Sequence, residues 1–224
     1  MLYAFAILAV PIPTIQPLGI EGKPVTFIQV GELVVVVEPN LNVEALKETT
    51  EEILLQAVLQ HDRVICELYS QHNLLPLRFG TAFVSESALR EYLIANQQEL
   101  SDRLRSLEGY AEYLLKGKAN FPKPEINGNL KGKEYLMAKR EQYLQQQQVQ
   151  VQLQSEVQEL YGLIPQTSRA APKLIQEAEE TKAHLLLTPL QAEQLSQFLQ
   201  TWQSLHSHWR FELSDALPPY HFAE

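Results

Sequence analysis

The chain has 224 residues, of which 45% are hydrophobic and 20% charged, so it can form a packed core and is not a disordered protein. Its formal net charge is −9 and its Lys and Arg residues do not cluster, which argues against nucleic acid as a partner. Cys66 is the only cysteine, which excludes an internal disulfide and a thiolate metal cluster and agrees with a reducing cytoplasm.

Residues 1–15 are apolar but are not typical of a signal peptide. The segment has no basic stretch at its start, and Pro11 and Pro13 interrupt it. No run in the sequence is long enough for a transmembrane helix. We therefore expect a soluble cytoplasmic protein that has no membrane partner.

Three strands are predicted near the N-terminus. Residues 2–10 form the first, and prolines end it. Residues 25–30 and 32–38 are β-branched apolar runs on either side of a glycine, which predicts a β-hairpin. The four valines at 34–37 do not alternate with polar residues, so we expect them to lie centrally in a sheet or to be covered on both faces.

A helix is predicted over residues 50–69. Thr49 or Thr50 provides the N-cap, and two glutamates follow in the first turn. Apolar positions recur at four- and three-residue spacing, which places them on one face of the helix. This predicted core face consists of Leu54, Val58, His61, Ile65 and Leu68.

Residues 74–83 predict a buried strand around which the first half of the chain is organised. Apolar side chains at 75, 77 and 79 alternate with Pro76, Arg78 and Gly80. Arg78 is the exception in so apolar a stretch. It can bind an anionic ligand, but we favour a position at an open face or an ion pair with a carboxylate, the candidates being Asp62, Glu67 and Glu112.

A helix over residues 85–107 and a strand over residues 110–116 complete the first predicted domain. Ser85 serves as the N-cap, Gly109 stops the helix, and leucines keep the helical period at positions 89, 93, 100, 104 and 107. The order β-ββ-α-β-α-β indicates an α+β protein and resembles a ferredoxin-like sandwich, an antiparallel sheet with helices on one face, modified by an extra strand. We assign residues 1–118 to this domain.

Residues 119–224 are predicted to form a smaller α+β domain with a long helix and an extended C-terminal tail. The helix covers residues 133–161, although the alternation at 149, 151 and 153 also suits a strand. Its glutamine-rich part, 145–154, is a solvated face or a partner surface, and we favour a low-complexity surface without a specific role. A second helix starts at the N-cap Thr188 and ends near Leu205. The tail, residues 218–222, is expected to pack back onto the protein. Strands are predicted at 163–168, 173–177, 182–187 and 209–213.

The sequence contains no recognisable catalytic or cofactor-binding motif. A phosphate loop, GxGxxG, GxSxG and HExxH are all absent, and no cofactor is predicted. His206 and His208 are two residues apart without a third ligand at a metal-site spacing, so no metal site is predicted. His61 can be a catalytic base, but we favour a core histidine whose ring nitrogens are both satisfied. Cys66 is interpreted as a small buried hydrophobic residue.

Three short motifs lie between residues 61 and 109. They are His-Asp-Arg-Val at 61–64, Leu-Pro-Leu-Arg-Phe-Gly-Thr at 75–81 and the end of the leucine-rich helix, Leu-Glu-Gly at 107–109. Together they resemble the gas vesicle protein GvpF/GvpL family. The Tyr3 strand and the segment Gly-Lys-Glu-Tyr-Leu at 132–136 are also similar to that family. The tail Leu-Pro-Pro-Tyr-His-Phe at 217–222 resembles its closing motif, although Asp-Ala-Leu stands at 215–217 where Gly-Pro-Trp is usual.

The resemblance implies a fold of two domains, the first a modified ferredoxin-like sandwich. It also implies an accessory or minor structural protein of the gas vesicle, the gas-filled shell that gives aquatic microbes buoyancy, and not an enzyme. The expected partners are the small hydrophobic shell protein and other accessory proteins, and the expected location is the vesicle shell. The implied structural motif comprises His61, Arg63, Pro76, Arg78, Phe79, Gly80, Pro218, Pro219 and Tyr220.

Two alternatives of other classes stay open from the residues alone. One is a small-molecule-binding regulator on a ferredoxin-like fold, with Arg78 as the anchor for an anion, which requires a pocket next to Arg78. The other is a hydrolase that uses His61, which requires His61 to be exposed in a cleft beside an acid or a nucleophile.

Overall fold

The computed structural model describes residues 1–120, 132–164, 168–176, 180–206 and 208–223. The chain forms two compact units. Unit 1 comprises Met1–Glu112 and Leu217–Glu224, and unit 2 comprises Tyr113–Ala216. The sequence predicted a division at 118/119 with the tail in the second domain, whereas the units divide at 112/113 and the tail belongs to unit 1. The tail joins unit 1 because Glu112 and Leu217 exchange two backbone hydrogen bonds, of 3.1 and 2.8 Å, and local sequence patterns do not reveal such pairing.

Unit 1 contains an antiparallel sheet with β1 (Leu2–Ala9) at its centre. The strand order is β2 (Thr26–Val30), β3 (Leu33–Pro39), β1, β4 (Leu74–Pro76), and the two-residue strand β5 (Ala82–Phe83) also pairs with β1. The predicted first strand and the hairpin that follows are confirmed. The valines at 34–37 are completely buried in β3, between β2 and β1, as their lack of alternation predicts.

Helices α1 (Val43–Lys47) and α2 (Glu51–Tyr69) follow the hairpin. Thr50 is the N-cap of α2, and its side chain accepts a hydrogen bond from the backbone N–H of Ile53, as predicted. The buried face of α2 is rotated relative to the predicted stripe, because Val58 is exposed and Ala57 and Val64 are buried in its place. The buried residues of α2 are Ala57, His61, Val64, Ile65 and Leu68.

The prediction of one continuous strand over residues 74–83 is wrong. The segment forms β4 and β5, which both pair with β1, and a turn lies between them. In this turn the backbone N–H of Thr81 donates to the carbonyl of Arg78 over 3.0 Å, and Gly80 has a φ of +88°. Glycine adopts this left-handed conformation without the steric penalty of a side chain, so it reverses the chain here. Arg78 is consequently exposed on a turn and not held within a buried strand.

The predicted helix over residues 85–107 is two helices, α3 (Glu86–Ala95) and α4 (Gln97–Leu107). Asn96 separates them, and its side-chain amide donates to the backbone carbonyl of Tyr92 over 2.7 Å. Asparagine interrupts helices in this way because its amide competes with the backbone for helical hydrogen bonds. The other predictions for this region are confirmed, since Ser85 caps α3 and the five leucines of the two helices are buried.

Strand β6 (Ala111–Ala119) belongs to the sheet of unit 2, and its prediction as a strand of the first sheet is wrong. Its backbone pairs with β9 (Trp209–Leu213), with Gly117 opposite Phe211. Pairing partners far away in the chain leave no local signal, so the alternation of residues 110–116 predicted a strand but not its sheet.

In the residues that the structure describes, unit 2 contains a four-stranded sheet and two helices. Its strand order is β7 (Lys173–Gln176), β8 (Glu180–Leu187), β6, β9, and its helices are α5 (Lys133–Leu163) and α6 (Pro189–Leu205). Thr188 and Gln191 form a complete capping box at the start of α6. The predicted strand at 163–168 is not formed at its described residues, 163, 164 and 168. Residues 163–164 end the helix, 165–167 lie outside the described residues, and so does residue 177 of the predicted strand 173–177.

The buried face of the second sheet is packed too closely for a side chain at Gly117. A Cβ atom there would overlap the ring of Phe211 and lie 2.7 Å from Cγ2 of Thr181. Trp209 and Phe211 of β9 are buried on this face, and Arg210 and Glu212 are exposed on the other, as their alternation predicts.

Candidate functional site

Tyr3 and His61 form a buried hydrogen-bond network in unit 1. The Nε2 atom of His61 lies 3.0 Å from the carbonyl of Leu77, and because a carbonyl only accepts, Nε2 carries the proton. Nδ1 is therefore an acceptor, and the hydroxyl of Tyr3 donates to it over 2.8 Å. The same hydroxyl accepts from the backbone N–H of Gly80 over 3.2 Å. Every polar group in this network is thus paired while His61 is neutral.

Aromatic rings surround His61 and exclude water. The ring of Phe5 stacks on it at 5.3 Å, and the ring of Phe79 meets it edge-on at 5.6 Å. His61 is 5% exposed. Burial lowers the pKa of His61, while the Leu77 carbonyl and Asp62 act in the opposite direction, and burial raises the pKa of Tyr3.

This geometry supports the interpretation of His61 as a core histidine. A general base needs an accessible nitrogen that can take a proton from a substrate, and both nitrogens of His61 are already bonded inside the unit. The hydrolase alternative required an exposed His61, and the burial of the ring contradicts it. Tyr3 was not among the predicted motif residues. The signal that could have found it is a single hydroxyl in an otherwise apolar strand.

The other predicted motif residues divide into two groups. Phe79 and Gly80 meet around Tyr3 and His61, and Pro76 lies in the adjacent β4. Arg63 and Arg78 are exposed. Arg63 forms an ion pair with Glu67 one helical turn away, at 2.9 Å.

The C-terminal tail packs back onto the protein, as predicted, but onto unit 1 and not onto the second domain to which the sequence assigned it, and it does so through both apolar and polar contacts. Pro218 and Pro219 are buried, and the hydroxyl of Tyr220 donates to the carboxylate of Asp62. The buried carboxylate of Glu112 accepts from the backbone N–H of His221 over 2.8 Å and lies 2.7 Å from Nδ1 of the same residue. The Tyr220–Asp62 bond thus joins the tail to α2, and the Glu112–His221 bonds join it to the start of β6.

Cys66 is exposed, so its prediction as a buried residue is wrong. It lies on α2 next to the Ile65–Leu68 face and not within it. Its Sγ atom is 3.8 Å from the Asp62 carboxylate. Partial burial, followed by the charge of Asp62, raises the pKa of the thiol, so the reactive thiolate is disfavoured.

A groove of about 700 Å³ lies on unit 1 between the loop at 16–22, α1 and α2. The loop is held by Glu38, a completely buried residue whose carboxylate accepts from the backbone N–H groups of Ile20, at 2.7 Å, and Glu21, at 2.9 Å. Gly19 passes so close to this carboxylate that a Cβ atom would overlap it. Arg78, the residue that the small-molecule alternative needed beside a pocket, is not among the residues that line this groove.

Helix α2 also exposes apolar side chains outside the groove. Leu55, Val58 and Leu59 lie on one side of the helix at three- and four-residue spacing, and Leu55 and Leu59 are each 59% exposed. We call these three residues the α2 apolar patch. Ile53, which lines the groove, is also exposed, but at 100° per residue it lies on the other side of α2 from the patch, and the polar residues Glu52, Gln56 and Gln60 lie between them.

The two histidines considered for a metal site have separate partners in unit 2. The ring of His206 stacks on Trp202 at 4.0 Å, and its Nδ1 atom bonds the Trp202 carbonyl over 3.1 Å. Nδ1 of His208 lies 3.3 Å from the buried carboxylate of Glu156. His206 is thus bonded within α6 and its C-cap, whereas His208 lies against Glu156 of α5.

Within the ranges that the structure describes, no helix combines the length and the apolar character needed to cross a membrane. This finding includes α5, the longest helix described in unit 2, whose residues 142–155 are rich in glutamine.

Comparison with protein families gives a match over the whole chain. The sequence profile described as "Gas vesicle synthesis protein GvpL/GvpF" matches residues 1–224. The chain belongs to this family. A comparison with curated protein sequences found no match.

Solved structures of gas vesicle proteins have the same fold. GvpF from Microcystis aeruginosa aligns with a TM-score of 0.70 at 16% identity, covering 100% of this chain and 98% of that protein. GvpF from Anabaena sp. PCC7120 aligns with a TM-score of 0.73 at 16% identity, covering 100% of this chain and 95% of that protein. The family match confirms the predicted resemblance, and the shared fold confirms the predicted α+β class with antiparallel sheets.

Proposed function

We propose that this member of the GvpL/GvpF family acts in the assembly of the gas vesicle shell by binding the hydrophobic shell protein and other vesicle accessory proteins. The match of the family profile to residues 1–224 carries the proposal, because it covers both units. Shell subunits with apolar surfaces need to be kept from premature association, and a protein with a net charge of −9 is suited to hold them in solution.

The binding surface in this proposal is the α2 apolar patch. Its leucines are exposed although the opposite face of the same helix packs in the core of unit 1. A helix fixed in this way presents apolar side chains in a set geometry, so binding a partner requires little further ordering. The groove lined by Ile53 is a separate recess on another side of α2, and we propose that it accepts a second side chain of the shell protein.

The proposal treats the protein as a binding protein and not as an enzyme. Two features support this. His61 has both ring nitrogens bonded within the core, and Arg78 lies on an exposed turn away from the groove lining. The nine motif residues are proposed to have a structural role, with His61, Phe79 and Gly80 stabilising the core around Tyr3 and with Pro218, Pro219 and Tyr220 fixing the tail.

The test is co-expression of the full chain with the shell protein, followed by affinity capture. We expect Leu55→Ser/Leu59→Ser to reduce the captured shell protein at least fivefold, because both leucines are exposed and their loss leaves the core intact. The matched control is Leu190→Ser/Leu205→Ser, which removes two exposed leucines of α6. Equal capture by both double variants would contradict the patch, and no capture by the unchanged protein would contradict the proposed binding.

The second part of the test asks whether the protein associates with the finished shell. A vesicle-forming host that lacks the gene is complemented with the unchanged protein or with either double variant, and vesicles are counted by electron microscopy. We expect few vesicles with the Leu55→Ser/Leu59→Ser variant, and we expect antibodies to detect the unchanged protein on washed shells. Normal vesicles in the host without the gene would contradict a role in assembly.

A further inference from the structure

Helix α5 is much longer than the part of it that is packed within unit 2. All of its buried residues lie at or after Leu153. Residues 133–152 are exposed or half-buried, and at 1.5 Å per residue they span about 30 Å. Most of the stability of a helix in a protein comes from packing, so a long unburied stretch indicates that this part of α5 packs on another surface.

An apolar stripe runs along the exposed side of α5. Met137, Leu144 and Val151 are spaced by seven residues and are all exposed. At 100° per residue these three side chains stay within about 40° of one another on the helix circumference. The residues that bury α5 in unit 2, such as Leu153 and Val157, point to the opposite side. The sheet that α5 covers in unit 2 therefore does not obstruct the stripe.

The charges on α5 are confined to its two ends. Residues 142–155 contain no charged side chain, although the protein as a whole carries a net charge of −9. On the side of the stripe, Arg140 precedes this neutral stretch and the exposed Glu159 follows it. The first end carries Lys133, Lys139 and Arg140 against Glu134 and Glu141 and is net basic by one charge, whereas the second end carries only Glu156 and Glu159. A helix with a net basic end, a neutral middle and an acidic end is complementary to the same helix in the reverse direction.

We propose that α5 binds α5 of a second copy of this chain in an antiparallel arrangement, with the twofold axis between Gln147 and Gln148. This register places Leu144 of each copy opposite Val151 of the other. Arg140 of each copy then lies within one helical turn of Glu159 of the second copy, which two long side chains can span. A parallel arrangement would instead place Arg140 against Arg140 and Glu159 against Glu159.

Glutamine suits the middle of such an interface. An amide side chain both donates and accepts, so Gln147 of one copy can exchange hydrogen bonds with Gln148 of the other without burying a charge. With three apolar residues per helix the interface is small, so the dimer is expected to dissociate on dilution. This inference does not depend on the proposed function in vesicle assembly.

The first test is sedimentation velocity of the full chain between about 1 and 100 µM. We expect the average mass to rise towards that of a dimer, and Leu144→Glu/Val151→Glu to stay monomeric throughout. The control, Leu190→Glu/Leu205→Glu, changes two exposed leucines of α6 and should dimerise normally. Circular dichroism checks that both variants are folded. A monomer at every concentration, or a dimer that survives Leu144→Glu/Val151→Glu, would overturn the proposal.

The second test determines the direction of pairing. Arg140→Glu should weaken the dimer at least threefold, and adding Glu159→Arg should restore it. In a Cys66→Ser background, Gln148→Cys lies next to the axis and should form a disulfide between copies, while Met137→Cys should not. A parallel pair would cross-link at both positions, so equal disulfide formation by the two cysteine variants would exclude the antiparallel register.

Discussion

The hydroxyl of Tyr3 connects three elements of unit 1: strand β1, helix α2 and the turn after β4. The hydroxyl donates to His61 on α2 and accepts from the backbone of Gly80 in the turn after β4. Removing it leaves the buried ring nitrogen of His61 and the half-buried N–H group of Gly80 without this partner, and an unsatisfied buried group costs about 1–3 kcal/mol. The network therefore links the first strand to the motif residues at 61 and 80.

We expect Tyr3→Phe to lower the free energy of unfolding by about 1–3 kcal/mol, because the ring still fills its space and only the hydrogen bonds are lost. Urea denaturation measures the effect. Tyr135→Phe, at a more exposed position on α5, is the control and should change stability by less than about 0.5 kcal/mol. Equal stability of Tyr3→Phe and the unchanged protein would show that the network contributes nothing.

His61 makes the stability of unit 1 dependent on pH. Its pKa is lowered in the folded state, chiefly by burial. Below about pH 6.5, the ordinary histidine value, the unfolded chain therefore binds a proton that the folded protein does not bind. The contribution of His61 is fully present above pH 6.5 and is lost as the pH falls towards its folded pKa, by at most about 1.4 kcal/mol per pH unit.

The expected outcome is that His61 takes up its proton at a lower pH than an exposed histidine does, because burial lowers its pKa. A titration of the histidine ring resonances by NMR measures this directly on the unchanged protein. The resonance assigned to His61 should shift only at lower pH than those of exposed histidines. A midpoint at or above 6.5 for His61 would contradict the neutral network described above.

Helices and strands in this chain were predicted well where local chemistry decides them. Thr50, Ser85 and Thr188 cap helices where the sequence predicts caps, since a side-chain oxygen and the first N–H groups of a helix are neighbours in the chain. Two of the errors are at Asn96 and around Gly80. At both, one residue with special backbone chemistry interrupts an apolar pattern that continues through it.

Gly117 determines how closely the elements of unit 2 can pack. Any side chain there would meet Phe211 of β9 and Thr181 of β8. We expect Gly117→Ala to destabilise the protein by about 1–3 kcal/mol through overpacking, measured as a lower denaturation midpoint. Gly22→Ala is the control for a glycine with open space around it, and its cost comes only from its φ of +74°. A larger loss at Gly22 than at Gly117 would contradict the packing argument.

At the scale of the whole molecule, the chain leaves unit 1 after Glu112 and returns to it at Leu217. The buried carboxylate of Glu112 bonds the returning tail at His221. The tail motif recognised in the sequence therefore attaches the tail to unit 1: Pro218 and Pro219 are buried, and the hydroxyl of Tyr220 donates a hydrogen bond to Asp62 on α2.

Deleting residues 217–224 should destabilise unit 1 by about 2–5 kcal/mol, because it removes buried apolar surface and two hydrogen bonds to a buried carboxylate. Hydrogen exchange of the α2 amides measures the loss. Tyr220→Phe, which removes one hydrogen bond to the exposed Asp62, is the milder control and should cost at most about 1 kcal/mol. Unchanged protection of α2 after the deletion would contradict a stabilising role for the tail.

The sequence by itself determined the types of most elements, the caps, the α+β class and the family, because these follow from neighbouring residues and short motifs. Only the tertiary structure decided which sheet β6 joins, that residues 74–83 turn back on β1, that Cys66 is exposed and that the tail belongs to unit 1. Each of these depends on contacts between residues far apart in the chain. The free energy of such contacts depends on pairing and packing in space, and local periodicity does not encode it.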